Sequence, residues 1–351
     1  MIKGGIIVKV SVIGATGYAG AELLRLLHNH PMVEIVYITS ESQTGIGIDE
    51  TYGHFRKIYS DKLISMQEIE KIAKASDVIF IGLPHGHAMA VGKQLEQYAV
   101  KIIDLGADYR FADTAVYEQW YKVKHTHKEA KAVYGLTELN REHIKTAKIV
   151  GNAGCYTSAS ILALAPLVKA DLIDCDTIVV DAKSGISGAG RGASLNTHFA
   201  EMYDNLKAYN VGGHRHTPEI EQALSQLATK EIVISFTPHL IPMSRGILSS
   251  CYAKLKPTVT AEKVDEAFTA MYGEEFFIRL LGRGAYPATK NTRGSNFCDL
   301  GWHIDERVGR VIVLSAIDNL VKGAAGQAIQ NFNVMFNLSE KTGLDNAPVY
   351  P

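Results

Sequence analysis

The chain has 351 residues, 46% hydrophobic and 21% charged, with 36 Lys and Arg against 37 Asp and Glu for a net charge of −1. That length suggests two domains with ample core, and that charge gives no global field to draw nucleic acid or an anionic membrane. No apolar stretch is long enough to span a bilayer. The four cysteines (Cys155, Cys175, Cys251 and Cys298) are far apart with no CxxC pair, so a reducing cytoplasm is expected and a metal site is not.

The opening "MIKGGIIVKVSVIG" reads as a first strand running into a glycine turn, not as a signal peptide. Residues 6–13 are apolar and β-branched almost throughout, as in a strand covered on both faces. "GATGYAG" follows, then the helical "AELLRLLHNHP", closed by Pro31. Further strands are expected at "VEIVYIT" (33–39), "DVIFIGLP" (77–84) and "VKIIDLG" (100–106), with the helical "GHAMAVGKQLEQYA" before the last. This alternation predicts a right-handed, doubly wound α/β sheet.

Beyond about residue 155 the texture changes to longer β-rich runs: "TIVVDA" (177–182), "EIVISFTP" (231–238), "GILSSCYAKL" (246–255) and "RVIVLSAI" (310–317). Glycine-rich loops such as "KSGISGAGRGAS" separate them, which indicates a second domain with a mixed sheet. The tail "NLVKGAAGQAIQNFNVMFNL" has helical spacing, and its Met and aromatic residues read as helix packing.

Gly14, Gly17 and Gly20 stand between a strand and a helix. Glycines there let backbone approach a pyrophosphate, and the helix N-terminus supplies N–H donors and a positive dipole end. The G-x-x-G-x-x-G spacing departs from the G-x-G-x-x-G dinucleotide fingerprint. The second strand ends Thr39-Ser40-Glu41-Ser42, which offers hydroxyls for a 2′-phosphate and an acid for a free ribose; the residues leave that choice open.

In "GNAGCYTSAS" (151–160), Cys155 sits on a glycine-loosened turn where a helix begins. It is either a small residue at a tight bend or a nucleophile aimed by a helix N-terminus, where its pKa would fall. Pro166 should kink or end that helix well away from the thiol. "His214-Arg215-His216" alone reads as a polar surface feature or half a metal site; in an extended stretch both imidazoles would share one face. Cys251 and Cys298 read as buried small residues, and Cys175 as a residue of a polar loop.

Ten blocks together resemble one family, the N-acetyl-γ-glutamyl-phosphate reductases of arginine biosynthesis: "GATGYAGAELLRLL", "GLPHG", "DLGADYRF", "YGLTELNRE", "GNAGCYTSASILALAPL", "DAKSGISGAG", "HRHTPEIEQ", "FTPHLIPMSRGI", "GSNFCDLG" and "DNLVKGAAGQAIQN". The resemblance implies a Rossmann-type NADP-binding domain and an α+β mixed-sheet catalytic domain of the aspartate-semialdehyde dehydrogenase type. The first would span 1–153, completed by a C-terminal helix 319–351; the second would span 154–318. It implies a homodimer or homotetramer, NADP(H) as cofactor, and reduction of an acyl phosphate to a semialdehyde through a cysteine thioester. The alternative is a sister enzyme acting on aspartyl phosphate or on a carrier-bound aminoadipyl or glutamyl phosphate.

The resemblance makes Cys155 the nucleophile and His216 the acid/base, with His214 in reserve. The cofactor positions would be Gly14, Ala15, Thr16, Gly17, Tyr18, Ala19, Ser40, Ser42, Pro84 and Asn319, with Lys322 near the nicotinamide. Phosphate needs fixed positive charge and backbone donors. The candidates are Arg110, Asn152, Lys183, Ser184, Gly185 and Arg245; Arg191 and Arg215 are weaker. Ala153 stands where the family often has proline.

Overall fold

Continuous apolar runs pair in parallel when both faces of a sheet are covered. The computed structural model describes residues 7–351. Within it, β1 (Val8–Ile13), β2 (Val33–Thr39), β3 (Val78–Ile81), β4 (Lys101–Asp104), β5 (Ala132–Gly135) and β6 (Ile149–Asn152) form an all-parallel sheet in the order β2-β1-β3-β4-β6-β5. Ile6, the first residue of the expected opening strand, lies outside the described residues. Strand order reverses between β1 and β3, the switch point where doubly wound sheets bind ligands at their carboxyl ends.

The chain divides into two compact units, one of residues up to Ala153 with Ala324–Asp345, the other of Gly154–Gly323 with Asn346–Pro351. Asn319–Gly323 and the last six residues therefore cluster with the second unit. The reason is local: Asn319 Oδ1 accepts from the Gly246 amide at 2.7 Å, and Val349 N donates to Arg293 O at 2.8 Å.

The helix Gly326–Met335 belongs to the first unit and is buried on every side. Its Phe332 packs apolar surface, but Gln327, Gln330, Asn331 and Asn333 are also fully buried. They are tolerated because they are bonded. Asn331 Nδ2 donates to Gly135 O and to Asn152 Oδ1, both at 2.9 Å, and Thr137 Oγ1 donates to Asn331 Oδ1 at 2.7 Å. The tail is thus a polar clamp on the ends of β5 and β6 as well as packing.

In the second unit, β7 (Ile173–Gly185), β8 (Lys207–Ala208), β9 (Ser235–Ile241), β10 (Ile247–Leu255), β11 (Ile278–Arg283), β12 (Cys298–Asp305) and β13 (Arg310–Ile317) form a mixed sheet in the order β11-β12-β13-β10-β7-β9-β8. β11/β12 and β7/β9 pair in parallel; the other neighbours are antiparallel. One face is covered by the helix Cys155–Lys169, whose Ser160 Oγ lies 3.0 Å from Ser249 Oγ of β10. Alternation along β7 buries Ile178, Val180, Ala182 and Ser184 on that face and leaves Val179, Asp181 and Lys183 half-buried on the other.

The structure departs from the sequence expectation at four places. The helix runs through Pro166 to Lys169. Proline cannot donate to the carbonyl of Leu162, but Tyr272 Oη does so at 3.0 Å, removing the penalty of an unpaired buried acceptor. Residues 231–234 are not strand, and β9 starts at Ser235. Cys175 lies in β7 and is buried, not in a polar loop. His214–His216 forms a turn leading into a helix and is not extended. No helix among the described residues is long and apolar enough to cross a membrane.

Candidate active site

β6 ends at Asn152, and Gly154 in extended conformation (φ −72°, ψ 161°) is the N-cap of the helix that Cys155 opens. Gly154 has no side chain with which to cap the first turn. Glu219 supplies the missing acceptor: its Oε1 takes bonds from Gly154 N at 2.9 Å and from Thr157 Oγ1 at 2.8 Å. A fully buried carboxylate at a helix N-terminus is favoured by the dipole and by charge-assisted bonds. Glu219 was not singled out from the sequence; the only signal was an acid three residues past His216.

Of the four free cysteines, Cys155 alone is half-exposed; the other three are buried. Burial raises the Cys175 thiol and pushes Cys251 up to about 12, which leaves both inert. Close beside Cys155 lies Gly323: a Cβ there would stand 2.7 Å from Cys155 Cβ. Only glycine lets the 318–323 turn lie against the thiol residue.

Glu219 sits on the helix Thr217–Ala228, and His216 is that helix's N-cap. One rigid element therefore clamps the thiol turn and carries the imidazole. The His214 and His216 rings meet edge-on at 4.8 Å, and the Tyr156 ring contacts them at 5.6 and 6.0 Å. Tyr156 Oη donates to His239 O at 2.8 Å and accepts from Tyr209 Oη at 3.4 Å; burial raises the Tyr156 pKa and keeps the phenol neutral.

The two histidines are not equivalent. His214 Nδ1 accepts from His216 N at 3.0 Å. Burial, then Arg215, push its pKa down to about 4, so it is a neutral acceptor that holds the turn. In the unfolded chain it titrates near 6.5, so between about 6.5 and 4 the unfolded state binds more protons and acid weakens the fold. His214→Gln should therefore flatten the loss of stability from pH 7 to 4.5 in urea unfolding; an unchanged slope would place the acid-sensitive group elsewhere.

The loops after β7 and β9 are zipped together. Gly185 N donates to Gly246 O at 2.9 Å, and Ser187 N to Ser244 O at 3.1 Å. Asn319 is 2% exposed, and its amide also donates to Ser187 Oγ at 2.9 Å, so it braces these loops. Arg245 is oriented by the buried Asp318, 3.4 Å away, and Asp318 O accepts from Gly323 N at 3.0 Å. Through that turn the guanidinium and the Cys155 residue are tied to one frame. Ser184 faces the Cys155 helix, whereas Lys183 lies on the opposite sheet face, 2.9 Å from Asp181. Lys322 is buried with its ammonium 5.8 Å from the Phe277 ring; Arg191 and Arg215 are exposed.

In the first unit, Gly14 takes φ +82°, and a Cβ there would collide with Gly82 O. Gly17 is the N-cap of the helix Tyr18–Leu27 with no side-chain cap, and a Cβ on it would meet nothing nearer than 3.8 Å. That leaves room and backbone donors for a phosphate, so the turn fits a dinucleotide. Thr16 Oγ1 lies 2.9 Å from Ser40 Oγ, which is 3.4 Å from Ser42 Oγ, and Pro84 follows the end of β3. Arg110 and Asn152 belong to this unit and are internal braces. Arg110 Nε donates to Asn152 O at 2.7 Å, and Asn152 Nδ2 donates to Ala324 O at 3.0 Å.

Residues 9–147 match a family model described as semialdehyde dehydrogenase, NAD binding domain, and residues 155–319 one described as semialdehyde dehydrogenase, dimerisation domain. Aspartate semialdehyde dehydrogenase II of Vibrio cholerae, complexed with ASA, superposes with a TM-score of 0.71 at 18% identity, covering 94% of this chain and 98% of that one. The enzyme of Candida albicans with NADP gives the same TM-score and coverage at 18% identity. Fold and domains define the class: a two-domain semialdehyde dehydrogenase.

Within that class the relatives are narrower. The N-acetyl-gamma-glutamyl-phosphate reductase of Pelotomaculum thermopropionicum is 51% identical over 348 residues, 98% of this chain and 99% of that protein. That of Desulforamulus reducens is 52% identical over 346 residues, 98% and 100% of the two chains. The chain belongs to the N-acetyl-γ-glutamyl-phosphate reductase family.

Proposed function

We propose that the chain reduces N-acetyl-γ-glutamyl phosphate to N-acetylglutamate semialdehyde, releasing phosphate, through a thioester on Cys155. The carrying observation is the half-exposed thiol at a helix N-terminus, clamped by Glu219 from the helix that begins at His216. The Cys155 thiolate attacks the acyl carbon; the C–S bond forms as the C–O bond to phosphate breaks. When bound, NADPH supplies the hydride that reduces the thioester carbonyl. Helix N–H groups beside Cys155 face the oxyanion, and His216 donates the proton that the thiohemiacetal oxygen takes up and later returns. Collapse breaks the C–S bond, freeing aldehyde and thiolate. Arg245, with the Ser184–Gly185 backbone, is the phosphate-binding group in this reading.

The hydroxyls of Thr16, Ser40 and Ser42 support NADP over NAD. Glu41, the acid that would bind a free ribose 2′-hydroxyl, is engaged elsewhere: it accepts from Met66 N and, at 3.1 Å, from Ser65 Oγ. The open sheet face bears half-buried Val179, Leu248, Tyr252, Ile312 and Leu314 beside Asp181 and Lys183, which suits a second copy of the chain. Free thiols throughout suit a reducing cytoplasm.

The test is the oxidative reaction of the pure protein with phosphate. N-acetylglutamate semialdehyde with NADP should turn over far faster than aspartate semialdehyde, and faster than with NAD. Preference for aspartate semialdehyde would assign the sister reaction, and preference for NAD would overturn the cofactor reading.

A further inference from the structure

On the first unit, residues distant in sequence bring three acceptors together: Glu96, just past the helix Ala88–Leu95, and His127 and Glu129 in the loop before β5. One imidazole nitrogen and a carboxylate oxygen from each glutamate lie within 4.8 Å of one another. Both glutamates are exposed, whereas His127 is 1% exposed.

The second observation is the state of that imidazole. His127 Nδ1 lies 2.8 Å from Tyr109 Oη, and the phenol's own proton goes to Met89 O at 3.4 Å. In the tautomer where the phenol proton goes to Met89 O, Nδ1 donates to Tyr109 and Nε2 keeps a lone pair. That Nε2 is buried, has no hydrogen-bond partner, and stands 3.5 Å from Glu96 Oε2. A buried acceptor fixed in this tautomer and aimed at two carboxylates is arranged as metal-ligating histidines are, with the far nitrogen held by a polar group. The carbonyl end of the helix before Glu96 adds negative potential. Lys93 is the nearby cation: its Nζ is 3.2 Å from Glu129 Oε1 and 3.4 Å from Thr126 O.

We infer that Glu96, His127 and Glu129 form a divalent-cation site, in which a metal ion takes over from the Lys93 ammonium the neutralisation of Glu129. One imidazole and two carboxylates suit Zn²⁺, Co²⁺ or Mn²⁺ better than the all-oxygen ions Mg²⁺ and Ca²⁺. The bound ion would pin the loop before β5 to the end of the helix. No CxxC or HxxxH spacing announces the site, so residue spacing alone points to no metal there.

The probe is Co²⁺, titrated into the full-length protein and followed by visible absorption and calorimetry. One equivalent should bind with a nitrogen- and oxygen-only spectrum, unchanged in Cys155→Ala. The Glu96→Gln/Glu129→Gln variant should bind about tenfold or more weakly, the scale on which metal sites respond to lost partners. Lys93→Gln should bind several-fold more tightly. All three side chains are exposed, so these variants keep the fold, as circular dichroism will verify. Absence of saturable binding, a thiolate-to-cobalt band lost with Cys155, or an affinity indifferent to the glutamate pair would each overturn the inference.

Discussion

Cys155→Ala is expected to lower turnover by at least roughly 10⁴-fold while leaving NADP(H) affinity unchanged, the scale of loss seen when a covalent nucleophile is removed. The split follows from placement. The residues fitted to the nucleotide are on the glycine turn of the first unit, and the thiol opens a helix of the second. The substitution removes the half-exposed thiol that displaces phosphate and leaves again in the proposed reaction. Cys251 and Cys298 are fully buried, so neither can substitute. Fluorescence titration with NADPH beside steady-state rates separates the effects; retained turnover would contradict the nucleophile assignment.

His216→Asn should cost about 10²–10⁴-fold in kcat, the usual range for a positioned acid/base. Asparagine keeps a polar side chain at the N-cap, so the helix carrying Glu219 should hold its place and substrate KM should change little. The corresponding His214 variant should act through stability, since that ring is neutral and its Nδ1 is already used. A kinetic loss confined to His214 variants, with His216 variants unaffected, would exchange the two roles.

The parallel sheet of the first unit was legible because buried parallel strands are continuous apolar runs, and β2 occupies the expected residues; in the second unit β13 does so too. β5, β6, β8, β11 and β12 were not singled out. Most are short, and β12 carries Asp299, Gly301 and His303, which mask the alternation. The helix through Pro166 was unreadable locally, since its survival depends on a tyrosine hydroxyl more than 100 positions away. At the site, Cys155 on its glycine turn was open between bend residue and nucleophile. The histidine pair alone read as a polar surface feature or half a metal site; the family resemblance gave both their roles. Glu219 was not singled out, because an acid in a helix's first turn looks like ordinary capping until the helix it clamps is known. Lone arginines and amides were the least legible group. Arg110, Asn152 and Asn319 come from different blocks than Arg245, and each makes bonds to internal carbonyls or side chains. Sequence shows that a polar group is present, and only the fold shows whether its bonds are already made.

In the proposed reaction the acyl group passes through sulfur at Cys155. Mass spectrometry of the protein mixed with N-acetyl-γ-glutamyl phosphate, without NADPH, tests it most directly. One N-acetylglutamyl group should appear on the peptide containing Cys155, be discharged by hydroxylamine or NADPH, and be absent from Cys155→Ala. An unmodified thiol during active turnover, or an acyl group carried by another residue, would contradict it.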